Sequence, residues 1–331
     1  MIIKEVKLSS GFLFIKETLN IITNEGKINL EEKFDSKLVQ ELNIKLKDFE
    51  INSAEDFTKL KEKLKDLDNE KYLIIEKAII NNIKNFWSFF DPTITQVPRP
   101  MCVVYEKEKG IKKFIVFSLN ANNFDAVITS CRKVTDFLKK KDISKLKDED
   151  ILMLIKEGID KEHELVNFEL RIGVVLDNFE NGNYIYNGYE LDENKQFEFV
   201  SKLIEKYSVV YVENPFNETN LEVYKKLNNK FKSICLICLN SKINEYSEGI
   251  NKKCFNTLIA KYLNISSFKT EALFFKDQGL NTIVEQNPDI IDVVVGLGIP
   301  LIKIEDDKNV YQISRKIKNI SDEIVKFKSK K

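Results

Sequence analysis

The chain has 331 residues, 43% of them hydrophobic, which suffices to bury a substantial core in two domains or in one large domain with an appendage. Lys and Arg together number 52, as do Asp and Glu, and no block of like charge is long enough for a nucleic-acid arm or a membrane-binding face. No apolar run approaches the roughly 20 residues of a bilayer-spanning helix, and Met1–Ser10 lacks the layout of a signal peptide, so the expectation is a cytoplasmic protein with no membrane or nucleic-acid partner.

From the N-terminus, Ile2–Leu8, Phe12–Ile15 and Leu19–Thr23 have the make-up of short strands, with Ser9-Ser10-Gly11 and Asn24-Glu25-Gly26 as turns; they predict a small antiparallel sheet. Ser53-Ala54-Glu55-Asp56 carries a helix-capping signature, and Phe57, Leu60, Leu64 and Leu67 keep helical spacing to Asp68. A second helix is expected from about Glu70 to Phe90, with Tyr72, Ile75, Ile79, Ile83, Phe86 and Phe90 on one side. The aromatic run Phe86, Trp87, Phe89, Phe90 reads as core or domain interface, since no basic groove accompanies it as base stacking would require. Asp91-Pro92 ends the helix and Val97-Pro98-Arg99-Pro100 reads as a linker, dividing the chain into an α+β unit, residues 1–92, and a second unit, residues 97–331.

In the second unit Met101–Tyr105 and Phe114–Leu119 read as strands, Asn123–Lys140 as an amphipathic helix, and Lys141–Lys161 as a charged segment leading to the strand Phe168–Leu176. After a helical stretch at Glu198–Lys206, strands at Val209–Val212, Ile234–Leu239, Thr257–Tyr262, Leu280–Val284 and Pro300–Ile304 alternate with helices, the last starting near Val310. Successive βα units with short connections predict a parallel β/α barrel. The five cysteines are scattered, and Cys235-Leu-Ile-Cys238 lies in an apolar strand where residues three apart point to opposite faces, so all read as buried thiols. His163, the only histidine, sits in a charged stretch with nothing near it from which to build a transition-metal site.

Val209–Phe216 is a short apolar run that delivers one carboxylate, Glu213, just before a chain-breaking Asn-Pro. In a β/α barrel that is the C-terminal end of a strand, where loops gather and chemistry is usually done. Taken together with Val97–Val104, Phe114–Phe117, Asn256–Ile265 and Leu301-Ile302-Lys303, which follow in the same order as the corresponding family blocks, this segment resembles the enolases of the archaeal and bacterial type. The resemblance implies an enolase-like TIM-type barrel with an α+β N-terminal domain. It implies that Lys261 matches the family's catalytic base and Lys303 its second active-site lysine, and that Glu213 matches one of three carboxylates that hold Mg²⁺.

The departures from the family pattern weigh as much. The first metal-binding Asp falls near Val175 and the second near Leu239 or Asn240, with Asp177 two residues away from the first position. Lys113 stands where the family has a Glu, Glu285-Gln286-Asn287-Pro288 replaces its phosphate-gripping loop, and its Asp-Glu-Gly-Gly-Phe loop has no counterpart between Lys141 and Phe168. Losing two of three carboxylates should weaken a Mg²⁺ site severely. The expectation is a catalytically silent protein without cofactor, acting as a structural or binding subunit with other proteins or with itself, its docking anchors the exposed members of Phe86–Phe90 and Tyr184–Tyr189, Trp87 and Tyr186 in particular. Lys261 and Lys303 would then belong to an ion-pair network with Glu213. The alternative is a divergent lyase-type enzyme acting on a small carboxylate with Glu213, Lys261 and Lys303, its Mg²⁺ held by Glu213 and Asp177.

Overall fold

Alternating apolar and polar residues in β1 (Ile3–Ser9), β2 (Thr18–Thr23) and β3 (Lys27–Leu30) build an antiparallel sheet in that order. The computed structural model describes residues 1–9, 18–30, 34–94, 96–108, 110–186, 189–240 and 246–328; the strand expected at Phe12–Ile15 lies outside them. Three helices follow: α1 (Ser36–Leu46), α2 (Asp56–Lys63) and α3 (Asn69–Asn82), with α1 packed on β1 and α3 on β3. Asp35 caps α1 by accepting from Leu38 N at 2.8 Å, and Asp68 caps α3 by accepting from Lys71 N at 2.9 Å. The helix expected to run to Phe90 stops at Asn82. Asn85 takes a left-handed conformation, φ 53°, which asparagine tolerates better than most residues, and Phe86–Phe89 forms a separate 3₁₀ turn.

The second unit begins with β4 (Arg99–Glu106), β5 (Lys113–Phe117), α4 (Phe124–Lys139), α5 (Asp148–His163) and β6 (Arg171–Val175). A small meander, β7 (Phe179–Glu180), β8 (Asn183–Tyr186) and β9 (Tyr189–Leu191), then precedes α6 (Glu193–Tyr207). Strand and helix alternate from there: β10 (Val209–Glu213), α7 (Leu221–Phe231), β11 (Leu236–Leu239), α8 (Ser247–Asn251), β12 (Thr257–Ala260), α9 (Ile265–Asp277), β13 (Asn281–Glu285), α10 (Ile291–Gly296), β14 (Leu301–Ile304) and α11 (Val310–Lys328). Eight strands close into a barrel in the order β4-β5-β6-β10-β11-β12-β13-β14, with β14 returning to β4. Pairing is parallel except at β5, which runs against both neighbours. Its first residue, Lys113, therefore pairs with Val175 and lies at the same end as the C-termini of the other strands.

Inward-facing Met101, Ile115, Phe117, Tyr211, Ile259 and Ile283 fill the barrel, while the outward faces of the strands join the helices and the N-terminal sheet in a second, larger core. Gly173 makes room for one of the fillers: a Cβ there would meet the Tyr211 ring at 2.9 Å. Cys238 belongs to the inner core and Cys235 to the outer, as strand alternation requires, and all five thiols are free and buried. No helix among the described residues is long and apolar enough to cross a membrane.

Two expectations need correction. The charged segment Lys141–Lys161 contains most of α5, whose Ile151, Leu152, Ile155 and Ile159 are buried beneath a charged outer face. Trp87 and Tyr186 are also no surface anchors, being only 1% and 5% exposed. Tyr186 alternates inward with Tyr184 along β8, and Trp87 packs beside α10 at the join of the N-terminal unit and the barrel. Tyr189 is exposed, and Asn187-Gly188 lie outside the described residues.

Candidate functional site

Strand periodicity places the mouth of the barrel. Tyr211 and Glu213 lie two residues apart on β10 and so face the same way, as do Lys303 on β14 and Glu305 just beyond it. Glu213 is only 2% exposed, and both of its carboxylate oxygens are occupied. Oε1 accepts from Lys303 Nζ at 3.1 Å and Asn240 Nδ2 at 2.9 Å; Oε2 accepts from Lys303 Nζ at 2.9 Å and the Tyr211 hydroxyl at 2.6 Å. A buried carboxylate needs this kind of company, and the three donors provide it.

The charges continue outward with alternating sign. Lys303 Nζ lies 3.3 Å from Glu305 Oε1, which accepts from Lys113 Nζ at 2.7 Å, and Lys113 Nζ lies 3.4 Å from Glu106. Burial works against the charged form of Lys303, yet Glu213 beside it wins and lifts the ammonium above the usual lysine range. Burial likewise opposes ionisation of Glu305, but the Lys113 hydrogen bond and the Lys303 charge hold it below the usual carboxylate range. The mouth is thus plugged by a chain of paired side chains from four strands or their ends.

Of the residues singled out in the sequence, Glu213 and Lys303 are brought into direct contact, and Asp177 lies on a separate cavity wall. Lys261 follows β12, where its backbone N–H donates to Glu271 Oε2 at 3.0 Å; burial pushes the Glu271 carboxyl up and the Lys261 charge restrains it. Asp177 is exposed in a left-handed turn, φ 44°, on the wall of a cavity of about 120 Å³ with Asn214, Phe216, Glu218 and Asn240, and Glu213 is not part of that wall.

These residues do not fit Mg²⁺. A hard cation needs several free oxygen ligands, whereas the Glu213 oxygens already hold an ammonium, a phenol and an amide. Among the described residues no three His, Cys, Asp or Glu side chains converge on a point where a metal would bind. The roles of Tyr211, Asn240, Glu305 and Lys113 were missed in the sequence. The two-residue spacings Tyr211-Val212-Glu213 and Lys303-Ile304-Glu305 were the signal available, since each puts a polar pair on one face of a strand.

Fold and mouth together define a β/α-barrel protein with its polar cluster at the strand C-termini, behind an N-terminal α+β unit. Residues 147–282 match the family described as enolase, C-terminal TIM barrel domain. Over that segment the chain is similar to enolases. The enolase of Pyrobaculum aerophilum is 29% identical over 149 residues, 38% of this chain and 36% of that protein. The enolase of Halorubrum lacusprofundi is 25% identical over 125 residues, covering 35% of this chain and 31% of the relative. The enolase of Archaeoglobus fulgidus is 22% identical over 206 residues, covering 54% and 51%. The chain thus matches about half or less of the length of these relatives.

Proposed function

We propose that this chain is a non-catalytic enolase-like protein, a structural or binding subunit that works in the cytoplasm with other proteins or with a second copy of itself. The observation that carries the reading is the pairing of Glu213 with Lys303, reinforced by Tyr211 and Asn240. Enolase-type chemistry removes a weakly acidic proton beside a carboxylate, and metal charge is needed to hold the anion that results. A Glu213 neutralised by an internal ammonium has no charge left for such a metal.

Two measurements on the purified chain test this. It should not dehydrate 2-phosphoglycerate, and millimolar Mg²⁺ should leave its melting temperature unchanged, because an ion that does not bind the folded state cannot stabilise it. Turnover that Lys261→Ala abolishes would replace the proposal with the divergent-enzyme reading, in which Glu213, Lys261 and Lys303 act and Glu213 and Asp177 hold Mg²⁺. The assembly arm is read by native pull-down with mass spectrometry and by light scattering. An unpartnered monomer in both would overturn it.

A further inference from the structure

The opposite end of the barrel carries a feature that the mouth does not explain. Arg99 opens β4 there, and two cavities meet at it: one of about 310 Å³ against α11 and the start of α4, the other of about 230 Å³ against Gly298-Ile299-Pro300. Among the described residues, Arg99 is the only charged one lining either cavity. Among the described residues Arg99 makes no ion pair with a carboxylate. Arg132 and Arg171, by contrast, each pair with a carboxylate, Asp307 and Glu169 respectively.

The guanidinium is half-buried and spends one donor internally, Nε on the Ala121 carbonyl oxygen at 3.0 Å. That bond fixes the plane of the group. Its four Nη hydrogens have no protein acceptor among the described residues. An arginine fork held in this way matches the paired oxygens of a carboxylate or phosphate. The surroundings add to the fit. Asn122 and Ser321 offer further donors, and α4 starts at the same wall, its Asp125 carboxylate turned aside to Ser314. Pro98, Phe124 and Ile324 line the rest with apolar surface. A cavity of 310 Å³ is at the small end of ligand sites, which span roughly 300–1,000 Å³.

We propose that the floor of the barrel is an anion-binding site centred on Arg99, which takes a small molecule bearing one phosphate or carboxylate on a short apolar body. It lies at the other end of the barrel from Glu213, so it stands or falls apart from the reading of the mouth. The turnover and Mg²⁺ assays do not bear on it.

Isothermal titration of the full chain with inorganic phosphate, butyl phosphate and butyrate tests the site. Saturable binding is expected for at least one butyl compound, more tightly than for inorganic phosphate because the apolar wall is then covered. Arg99→Gln should weaken that binding about tenfold or more, the scale of a lost charge-assisted pair. Arg99→Lys should retain part of it. Ser321→Glu keeps Arg99 but sets a carboxylate beside it, and should abolish binding even if Arg99→Gln fails to fold. Tighter binding of butyl phosphate assigns the ligand to phosphate monoesters, and tighter binding of butyrate assigns it to carboxylates. Unsaturable heats for all three compounds, or equal affinity in the wild type and Ser321→Glu, would overturn the proposal.

Discussion

Glu213 and Lys303 show what a buried ion pair does when its surroundings are complete. Their side chains are 2% and 3% exposed, so neither charge has water to fall back on. Removing one partner strands the other, and Glu213→Leu is expected to cost about 3–5 kcal/mol in urea unfolding, whereas Glu213→Leu with Lys303→Met should recover most of that loss. A double variant less stable than either single one would refute this account of the plug. Glu305 gives a pH test. Its folded pKa lies below its unfolded one, so it adds stability that is present above about pH 4.5 and is lost as the pH falls through the lower folded value. Glu305→Gln should flatten the acid limb of the stability curve relative to wild type. Glu213 was legible as a candidate because it ends a short apolar strand, and Lys303 because the resemblance matched it to the family's second active-site lysine. Their partnership with Lys113 and Glu305 was not, since Lys113 and Glu305 are 192 positions apart and meet only once the barrel closes.

At the scale of elements, the barrel strands were read to within three residues at each end because continuous apolar runs bounded by polar turns leave few alternatives. The helices were harder. The buried positions of α5 sit in a stretch where acids and lysines outnumber them, so its hydropathy looks like that of a solvated segment although the helical spacing is present. The helix drawn to Phe90 kept its apolar spacing across a break set by local backbone at Asn85, which side-chain periodicity does not report. What lies beyond that break is tightly fitted: a Cβ on Gly296 of α10 would stand 2.4 Å from the Trp87 carbonyl oxygen and 2.7 Å from the Phe90 ring. Backbone cannot yield as a flexible side chain does, so Gly296→Ala is expected to cost about 1–3 kcal/mol by thermal melting. Asp56 makes a second test at this scale. Its Oδ2 accepts from the backbone N–H groups of Asn52 and Ser53, both at 3.0 Å, and Oδ1 accepts from Lys59 Nζ at 2.8 Å. Burial opposes ionisation, but these bonds prevail and bring the carboxyl down to about 2. Stability from Asp56 is therefore complete above about pH 3.8 and lost as the pH falls toward 2, and Asp56→Ala should remove that dependence along with roughly 1 kcal/mol of helix start.

For the molecule as a whole, the question is whether residues 1–92 and the barrel behave as one unit or two. Prolines suggested a linker at Val97–Pro100, but Arg99 and Pro100 open β4, and the strength of the joint was not legible because it rests on a side chain from each part meeting in space. Glu76 of α3 is 0% exposed; it accepts from the Tyr72 hydroxyl at 2.5 Å on its own helix, from the Tyr262 hydroxyl at 2.5 Å, and from Ile265 N at 3.1 Å at the start of α9. Burial raises the Glu76 pKa despite these donors and the opposing charge of Lys61. A carboxyl raised in the folded state binds its proton more tightly there, so its contribution is fully present below about pH 4.5 and is lost as the pH rises through the folded value. Glu76→Gln should therefore remove a decline in stability that the wild type shows above pH 4.5, while Glu76→Leu should cost roughly 3 kcal/mol by leaving two hydroxyls and an amide buried and unpaired. Since the outer core is continuous from Met1 to Ile324, both parts are expected to unfold together. Trp87, the only tryptophan, sits at the joint and reports on it directly. Its fluorescence and the far-UV circular dichroism should trace one urea transition with a common midpoint in wild type, and in Glu76→Leu both should shift by the same amount. A tryptophan transition that precedes the loss of secondary structure would mean that the N-terminal unit parts from the barrel first and that Glu76 is not the tie between them.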